Sequence, residues 1–228
     1  MSEQVVVITG AAGALGSAVA RVFAARGAKL ALLDRGARAP ELGGAELLHL
    51  GVDLCDEAAL VAAAARVEAE LGAPTALVCV AGGYEGDKPV ASAGWADFER
   101  MLEVNLRTAH TAVRAFVPGM QARGAGSVCF VASTAGEAAF AGAAAYAGSK
   151  AALLRMAESL GLELRDAGVR VNSVLPGTMD TPANRAWMSE AARAKAVEPQ
   201  AVAEVIAFLA SDAARAVHGA TVRVTGRQ

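Results

Sequence analysis

Short aliphatic runs that alternate with longer helical windows from end to end predict an α/β fold: a doubly wound parallel sheet of about seven strands in three layers. Two further observations support it. Most of the runs are near-continuously apolar, as strands covered on both faces are, and a glycine turn separates the first run from the first helical window.

The strand candidates are residues 5–9, 30–34, 47–53, 76–81, 127–133, 169–175 and 221–225. In the first helical window Leu15, Val19, Val22 and Phe23 share a face, and Gly27 follows as a stop signal. Further windows run over about 57–71, 97–121, 144–166 and 199–211. Residues 83–95 and 182–198 are the least regular, and both follow strands at the sheet edge where ligands bind in such folds. No linker, repeat or low-complexity tract divides the chain, so residues 1–228 are read as one domain.

A composition of 54% hydrophobic and 19% charged residues describes a packed globular chain rather than a disordered one. Lys and Arg number 21 against 23 Asp and Glu, without a basic block, so neither nucleic acid nor an anionic membrane is an expected partner. Cys55, Cys79 and Cys129 are odd in number, far apart and set in or beside apolar runs. They read as buried free thiols, not as a disulfide framework or a zinc site. From Val5 to Ala20 there is no charge, as in a secretory signal, but Glu3 precedes the run with no Lys or Arg, and Gly10, Gly13 and Gly16 interrupt it. No other uncharged run approaches a spanning length. The expected location is the cytoplasm.

Val5-Val6-Val7-Ile8-Thr9-Gly10-Ala11-Ala12-Gly13-Ala14-Leu15-Gly16 reads as a buried strand, a glycine turn and a helix start. Gly10 permits the tight turn, small residues let backbone approach a pyrophosphate, and the helix amino terminus offers free N–H groups and a positive dipole end. Asp34 ends the second strand candidate about twenty residues on, where an acid accepts hydrogen bonds from an adenosine ribose. Together they predict a Rossmann-like dinucleotide site. A carboxylate there also repels a 2′-phosphate, so NAD(H) is favoured over NADP(H). Arg35, next along, either pairs with a 2′-phosphate, points to solvent or stacks on the adenine, and the sequence leaves the three open.

Tyr146 and Lys150 lie four apart in a helical window and share a face. An unperturbed phenol is too weak an acid for proton transfer near neutral pH, and a neighbouring ammonium and a nicotinamide cation favour its ionised form. Ser133 ends a strand candidate thirteen positions earlier, where its hydroxyl can donate to the oxygen of a carbonyl substrate. The order Gly148-Ser149-Lys150 is wrong for a phosphate loop, and Ala132-Ser133-Thr134 is not a hydrolase nucleophile elbow.

With these motifs in register the chain resembles, over essentially its whole length, the compact type of the short-chain dehydrogenase/reductase family. Residues Thr9 to Gly16 resemble the family's cofactor turn. Asp53 and Leu54 resemble the stretch that contacts the adenine, and Cys79-Val80-Ala81-Gly82 stands where the family has its Asn-Asn-Ala-Gly strand end. Asn105, after Val104, resembles the catalytic-tetrad asparagine that holds a water in the proton relay. Ser133, Tyr146 and Lys150 match the other three members, and Lys150 then also holds the nicotinamide ribose. Pro176-Gly177-Thr178-Met179-Asp180-Thr181 resembles the loop that binds the carboxamide, with Thr181 as its hydroxyl. The resemblance implies Gly10, Ala12, Gly13, Ala14, Leu15, Gly16, Asp34, Arg35, Asp53, Leu54, Ala81, Gly82, Val104, Tyr146, Lys150, Pro176, Gly177, Met179 and Thr181 as cofactor contacts.

Two departures stand out. The glycine spacing, with Ala14 where compact members carry Gly, resembles the extended branch, whose long carboxy-terminal substrate region is lacking here. Val80 replaces an Asn that supports the central strand and the relay.

The expected activity is interconversion of a carbonyl and a secondary alcohol on a small-molecule substrate, with a small ketone or 3-oxoacyl type favoured. A pteridine-type reductase and a non-catalytic dinucleotide sensor are the alternatives, the latter disfavoured by the intact tetrad. Trp95, Trp187 and Met188 either line a substrate pocket or pack; His49, His110 and His218 receive no role. Broadly apolar windows at 97–121 and 144–157 predict a homodimer or homotetramer.

Overall fold

The computed structural model describes residues 4–36, 40 and 42–227. Seven parallel strands form one sheet: β1 (Val5–Thr9), β2 (Lys29–Asp34), β3 (Leu47–Gly51), β4 (Ala76–Cys79), β5 (Gly126–Val131), β6 (Val169–Pro176) and β7 (Thr221–Val224). Their order is β3-β2-β1-β4-β5-β6-β7, so the direction of winding reverses beside β1. Ligands bind at such a switch point because the loops on either side diverge and leave a crevice at the carboxyl ends of the strands.

Helices cover both faces, and the alternation of side chains along β1 explains why both need covering. Val5 and Val7 belong to a core shared with α2 (Glu57–Leu71), α4 (Thr108–Arg123) and α5 (Ala144–Leu164). Val6 and Ile8 belong to the opposite core, shared with α1 (Ala14–Ala25) and α8 (Pro199–Leu209). All of Val6, Val7 and Ile8 are fully buried. Each such side chain contributes about 1.5–3 kcal/mol, so no charge is tolerated in the strand.

The strand candidates all form; β1 keeps the expected ends, and each of the others shifts at one end or both. Residues 52–53 leave β3 because the Asp53 carboxylate accepts the N–H of Cys55 at 2.9 Å and turns the chain. Residues 80–81 leave β4 because their N–H groups go to the Thr9 hydroxyl, at 3.2 and 3.3 Å, instead of to a strand partner. The Val80 that departs from the family pattern is therefore held through its backbone. Likewise β5 stops at Val131, two residues before Ser133, and β7 at Val224.

The window expected at 97–121 is a longer helical run with a defect. It comprises α3 (Trp95–Leu102), a single π turn over Glu103–Arg107, and α4. Such turns insert one residue into a helix and often mark functional sites. Here the turn contains Asn105, and the Thr108 hydroxyl donates to the Val104 carbonyl at 2.8 Å. The irregular stretch 182–198 carries two short helices, α6 (Pro182–Arg185) and α7 (Glu190–Arg193). Cys79 and Cys129 are buried free thiols, whereas Cys55, expected to be buried, is only half-buried where the chain turns after β3.

Candidate active site

A cleft of about 1390 Å³ crosses the carboxyl ends of the strands. It exceeds the roughly 300–1,000 Å³ of a small-ligand pocket, leaving space for a dinucleotide and a second molecule.

At one end the chain turns at Gly10, in the left-handed region at φ 67°, where a Cβ would lie 2.7 Å from Ala81 Cα. A Cβ on Gly16 would lie 2.1 Å from the Gly10 carbonyl oxygen, so α1 packs on the turn only with glycine there. Gly13 caps α1 without a side-chain hydrogen bond, which leaves the helix amino terminus open to an anion. Asp34 ends β2 beside this turn: one carboxylate oxygen accepts the N–H of Ala12 at 3.2 Å and the other that of Gly36 at 3.1 Å. Small residues, an uncapped helix start and a carboxylate at the adjacent strand end fit the pyrophosphate and ribose of a dinucleotide.

At the other end Ser133, just past β5, has extended backbone, and its hydroxyl accepts the N–H of Ala135 at 3.2 Å. Tyr146 lies in the first turn of α5, and its hydroxyl is hydrogen-bonded to that of Ser133. One turn on, Lys150 is buried and its ammonium donates to the Val131 carbonyl at 2.9 Å. Desolvation lowers its pKa to about 8. For Tyr146 the expectation of a lowered pKa is overturned in the free protein. Burial pushes the phenol up and outweighs the Ser133 hydrogen bond, which pulls it down; Tyr84 raises it further.

Asn105 is fully buried beneath the cleft. Its amide accepts the Gly83 N–H at 3.0 Å, donates to the Gly83 carbonyl at 3.0 Å, and donates to the Ser149 hydroxyl at 3.1 Å. Ser149 in turn donates to the Tyr146 carbonyl at 2.7 Å. Gly82 is wedged between: a Cβ there would lie 2.7 Å from Asn105 Oδ1 and 3.2 Å from Lys150 Nζ. The π turn, the end of β4 and α5 are thus tied together directly beneath Tyr146.

Of the residues singled out in the sequence, Gly10, Gly13, Ala14, Leu15, Gly16, Asp34, Arg35, Asp53 and Leu54 line the turn end of the cleft. Ala81, Gly82, Val104, Ser133, Tyr146, Lys150, Pro176, Gly177, Met179 and Thr181 line the rest. Two do not reach the wall. Asn105 lies behind it, and Ala12 is turned outward with its N–H on Asp34. Thr181 lines the cleft, and its hydroxyl caps α6 by accepting the Asn184 N–H at 3.2 Å, which leaves its own O–H able to donate. Of the three candidate pocket residues only Trp187 lines the cleft; Trp95 stacks on Phe98, ring centroids 5.6 Å apart. Tyr84, Phe140 and Asn184 also line it and were not legible as site residues, because they sit in irregular stretches without periodicity.

A dinucleotide crevice that leads to a hydrogen-bonded serine and tyrosine over a buried lysine defines an oxidoreductase that works on carbonyl or alcohol groups. The model of the short chain dehydrogenase family matches residues 4–192, and the chain belongs to this short-chain dehydrogenase/reductase family. It is similar to a cis-4-hydroxycyclohexanecarboxylate dehydrogenase of Sinomonas cyclohexanicum, 34% identical across 99% of this chain and 96% of the relative. It is also similar to an acetoacetyl-CoA reductase of a Synechocystis strain, 32% identical across 99% and 96%. Among solved structures, a short-chain oxidoreductase of Burkholderia thailandensis superposes with a TM-score of 0.87 at 35% identity, covering 99% of this chain and 92% of that one. The fold expectation is met, and members of the family bind NAD(H) or NADP(H). Among the described residues no helix is long and apolar enough to cross a membrane.

Proposed function

We propose that this protein interconverts a small secondary alcohol and its carbonyl, with NAD(H) preferred over NADP(H) and Tyr146 moving the proton at the substrate oxygen. One observation carries the reading. The Ser133 and Tyr146 hydroxyls and the buried Lys150 ammonium converge on the cleft that begins at the glycine turn and Asp34. When bound, the nicotinamide supplies or accepts the hydride.

The other steps belong to the chain. Ser133 donates to the substrate oxygen and holds it against the Tyr146 hydroxyl. Tyr146 delivers its proton to that oxygen on reduction and removes it on oxidation. Burial raises the cost of the phenolate, and the Lys150 ammonium, with a cationic nicotinamide, offsets that cost only in the loaded site. Asn105 keeps Gly83 and α5 in place and, by the family's pattern, orders the water that recharges Lys150. The glycine turn from Gly10 to Gly16, with Asp53, Leu54, Ala81, Gly82 and Val104, holds the adenosine and pyrophosphate side. Pro176, Gly177, Met179 and Thr181 hold the carboxamide side.

Binding and chemistry share one domain in this reading. The substrate is a small ketone or a 3-oxoacyl compound, supported by likeness to a ring-alcohol dehydrogenase and to an acetoacetyl-CoA reductase. We place the enzyme in the cytoplasm as a dimer or tetramer that pairs α4 and α5 with their copies. Light scattering at micromolar concentration that shows a monomer would refute the pairing. The activity is tested by nicotinamide absorbance over a panel of ketones and secondary alcohols with both cofactors. Turnover with NAD(H) supports it, and no turnover on any member sinks it.

A further inference from the structure

We propose that the catalytic end of the cleft is a slot for an uncharged ring, so that the preferred substrate is a neutral cyclic or aromatic secondary alcohol or its ketone. This rests on the oxidoreductase reading above and narrows its substrate to the small-ketone branch, against the 3-oxoacyl one.

Aromatic side chains are scarce in this chain: two Trp, two Tyr and six Phe. Four of these ten, Tyr84, Phe140, Tyr146 and Trp187, line this cleft. Tyr84 meets Tyr146 edge-on, ring centroids 5.0 Å apart at 84°, and lies nearly parallel to Phe140 at 6.4 Å and 29°. Tyr84, Phe140 and Trp187 are 49%, 53% and 65% exposed. Large rings left open to water on a cleft that holds a reactive hydroxyl mark a surface that a ligand covers. Rings also prefer partners that present a face or an edge over a flexible chain, whose rotamers must be frozen on binding.

The slot is preformed. Tyr84 and Phe140 lie on different loops, and those loops are locked together at Asp87 and Gly142. Asp87 has φ 64°, the only positive φ of a non-glycine among the described residues. The Lys88 N–H donates to the Gly142 carbonyl at 3.3 Å, and a Cβ on Gly142 would lie 3.1 Å from Asp87 Cα. A strained conformation held by close packing at a binding site points to a required geometry.

Charge selects further. Glu85 and Asp87 line the same end. Of the cations nearby, Arg100 is engaged by Glu85 at 2.7 Å and Asp97 at 2.9 Å, Lys88 by Asp97 at 2.6 Å, and Lys150 is buried with its ammonium on the Val131 carbonyl. The Asp87 carboxylate adds to burial in pushing the Tyr84 phenol up, so its field reaches into the slot. A substrate carboxylate would meet that field as like charge, whereas an uncharged ring would not.

The test compares kcat/KM of the holoenzyme for cyclohexanol, 2-hexanol and cis-4-hydroxycyclohexanecarboxylate. Cyclohexanol should lead each of the others by about tenfold or more, the scale of discrimination in an apolar pocket. Tyr84→Ala, and independently Phe140→Ala, should erase the lead over 2-hexanol. Asp87→Asn, which keeps the left-handed backbone accessible, should raise use of the anionic ring. Binding is read separately in a Trp95→Phe background, where Trp187 is the remaining tryptophan. Acetophenone should quench its emission saturably, and more weakly when Tyr84 is also Ala. Equal or better use of 2-hexanol, a lead for the anionic ring, or quenching indifferent to Tyr84 would overturn the slot and leave the oxidoreductase reading standing. Failure to turn over any alcohol or ketone would bring down that reading instead, and the slot would then be judged by the quenching alone.

Discussion

The Asp34 carboxylate accepts the backbone N–H of Ala12 at 3.2 Å, which ties the end of β2 to the glycine turn on β1. The bond orients the carboxylate at the place where a ribose would lie. Hydrogen bonds to a charged acceptor contribute about 1.5–3 kcal/mol, and a 2′-phosphate would meet like charge. The expected outcome is about 10- to 100-fold preference for NAD(H) in kcat/KM. Asp34→Ser should erode it, chiefly by weakening NAD use. A wild type that prefers NADPH would mean that Arg35, which also lines the cleft, dominates.

Tyr146→Phe removes a hydroxyl that is hydrogen-bonded to Ser133 and lines the cleft. Positioned acid–base groups contribute about 10²–10⁴-fold. Turnover should fall on that scale while cofactor affinity, measured by NADH fluorescence titration, stays nearly unchanged. A variant that retains half of wild-type turnover would remove Tyr146 from the role.

Lys150 makes a prediction with a definite sign. Its pKa falls from 10.5 in the unfolded chain to about 8 in the fold. Between those values the unfolded state holds the extra proton, so this residue's contribution to stability rises with pH from about 8 to 10.5. Urea unfolding across that window should show wild type gaining stability relative to Lys150→Met as pH rises. A gap independent of pH would contradict it. Alcohol oxidation, which needs the Lys150 ammonium beside the Tyr146 phenolate, should lose kcat/KM as pH rises through about 8, and Lys150→Arg, which stays charged, should not show that fall.

Two glycines predict opposite outcomes. Gly16→Ala drives a Cβ to within 2.1 Å of a carbonyl oxygen. Overpacking of that kind costs about 1–3 kcal/mol, so Tm should fall by roughly 2–12 °C and cofactor binding should weaken. Gly148→Ala, in α5 with nothing within 4 Å of its Cβ, should raise stability by about 0.8–1 kcal/mol. Calorimetry on both checks the pair, and a melting point raised by Gly16→Ala would overturn the packing argument.

Much of this molecule is legible in local patterns. Strands β1, β2, β4, β5 and β6 announce themselves as apolar runs because both faces are buried, and the glycine turn because only glycine fits where α1 meets Gly10. Asp34, Ser133, Tyr146 and Lys150 are readable from their positions at strand ends or on one helix face. The π turn around Asn105 has no such signal, because its Asn105 is tied to Gly83 and Ser149, which lie in segments far from it in the chain.

Sequence alone therefore determined the layers and the strand sites and singled out the candidate proton carrier, since each depends on spacing within one element. Only the tertiary structure decided that Lys150 is buried against Val131, that Tyr146 is harder to ionise in the free protein, and that Tyr84 and Phe140 stand together beside it. Those properties depend on desolvation and on contacts between segments far apart in the chain, and neither is written in the local order of residues.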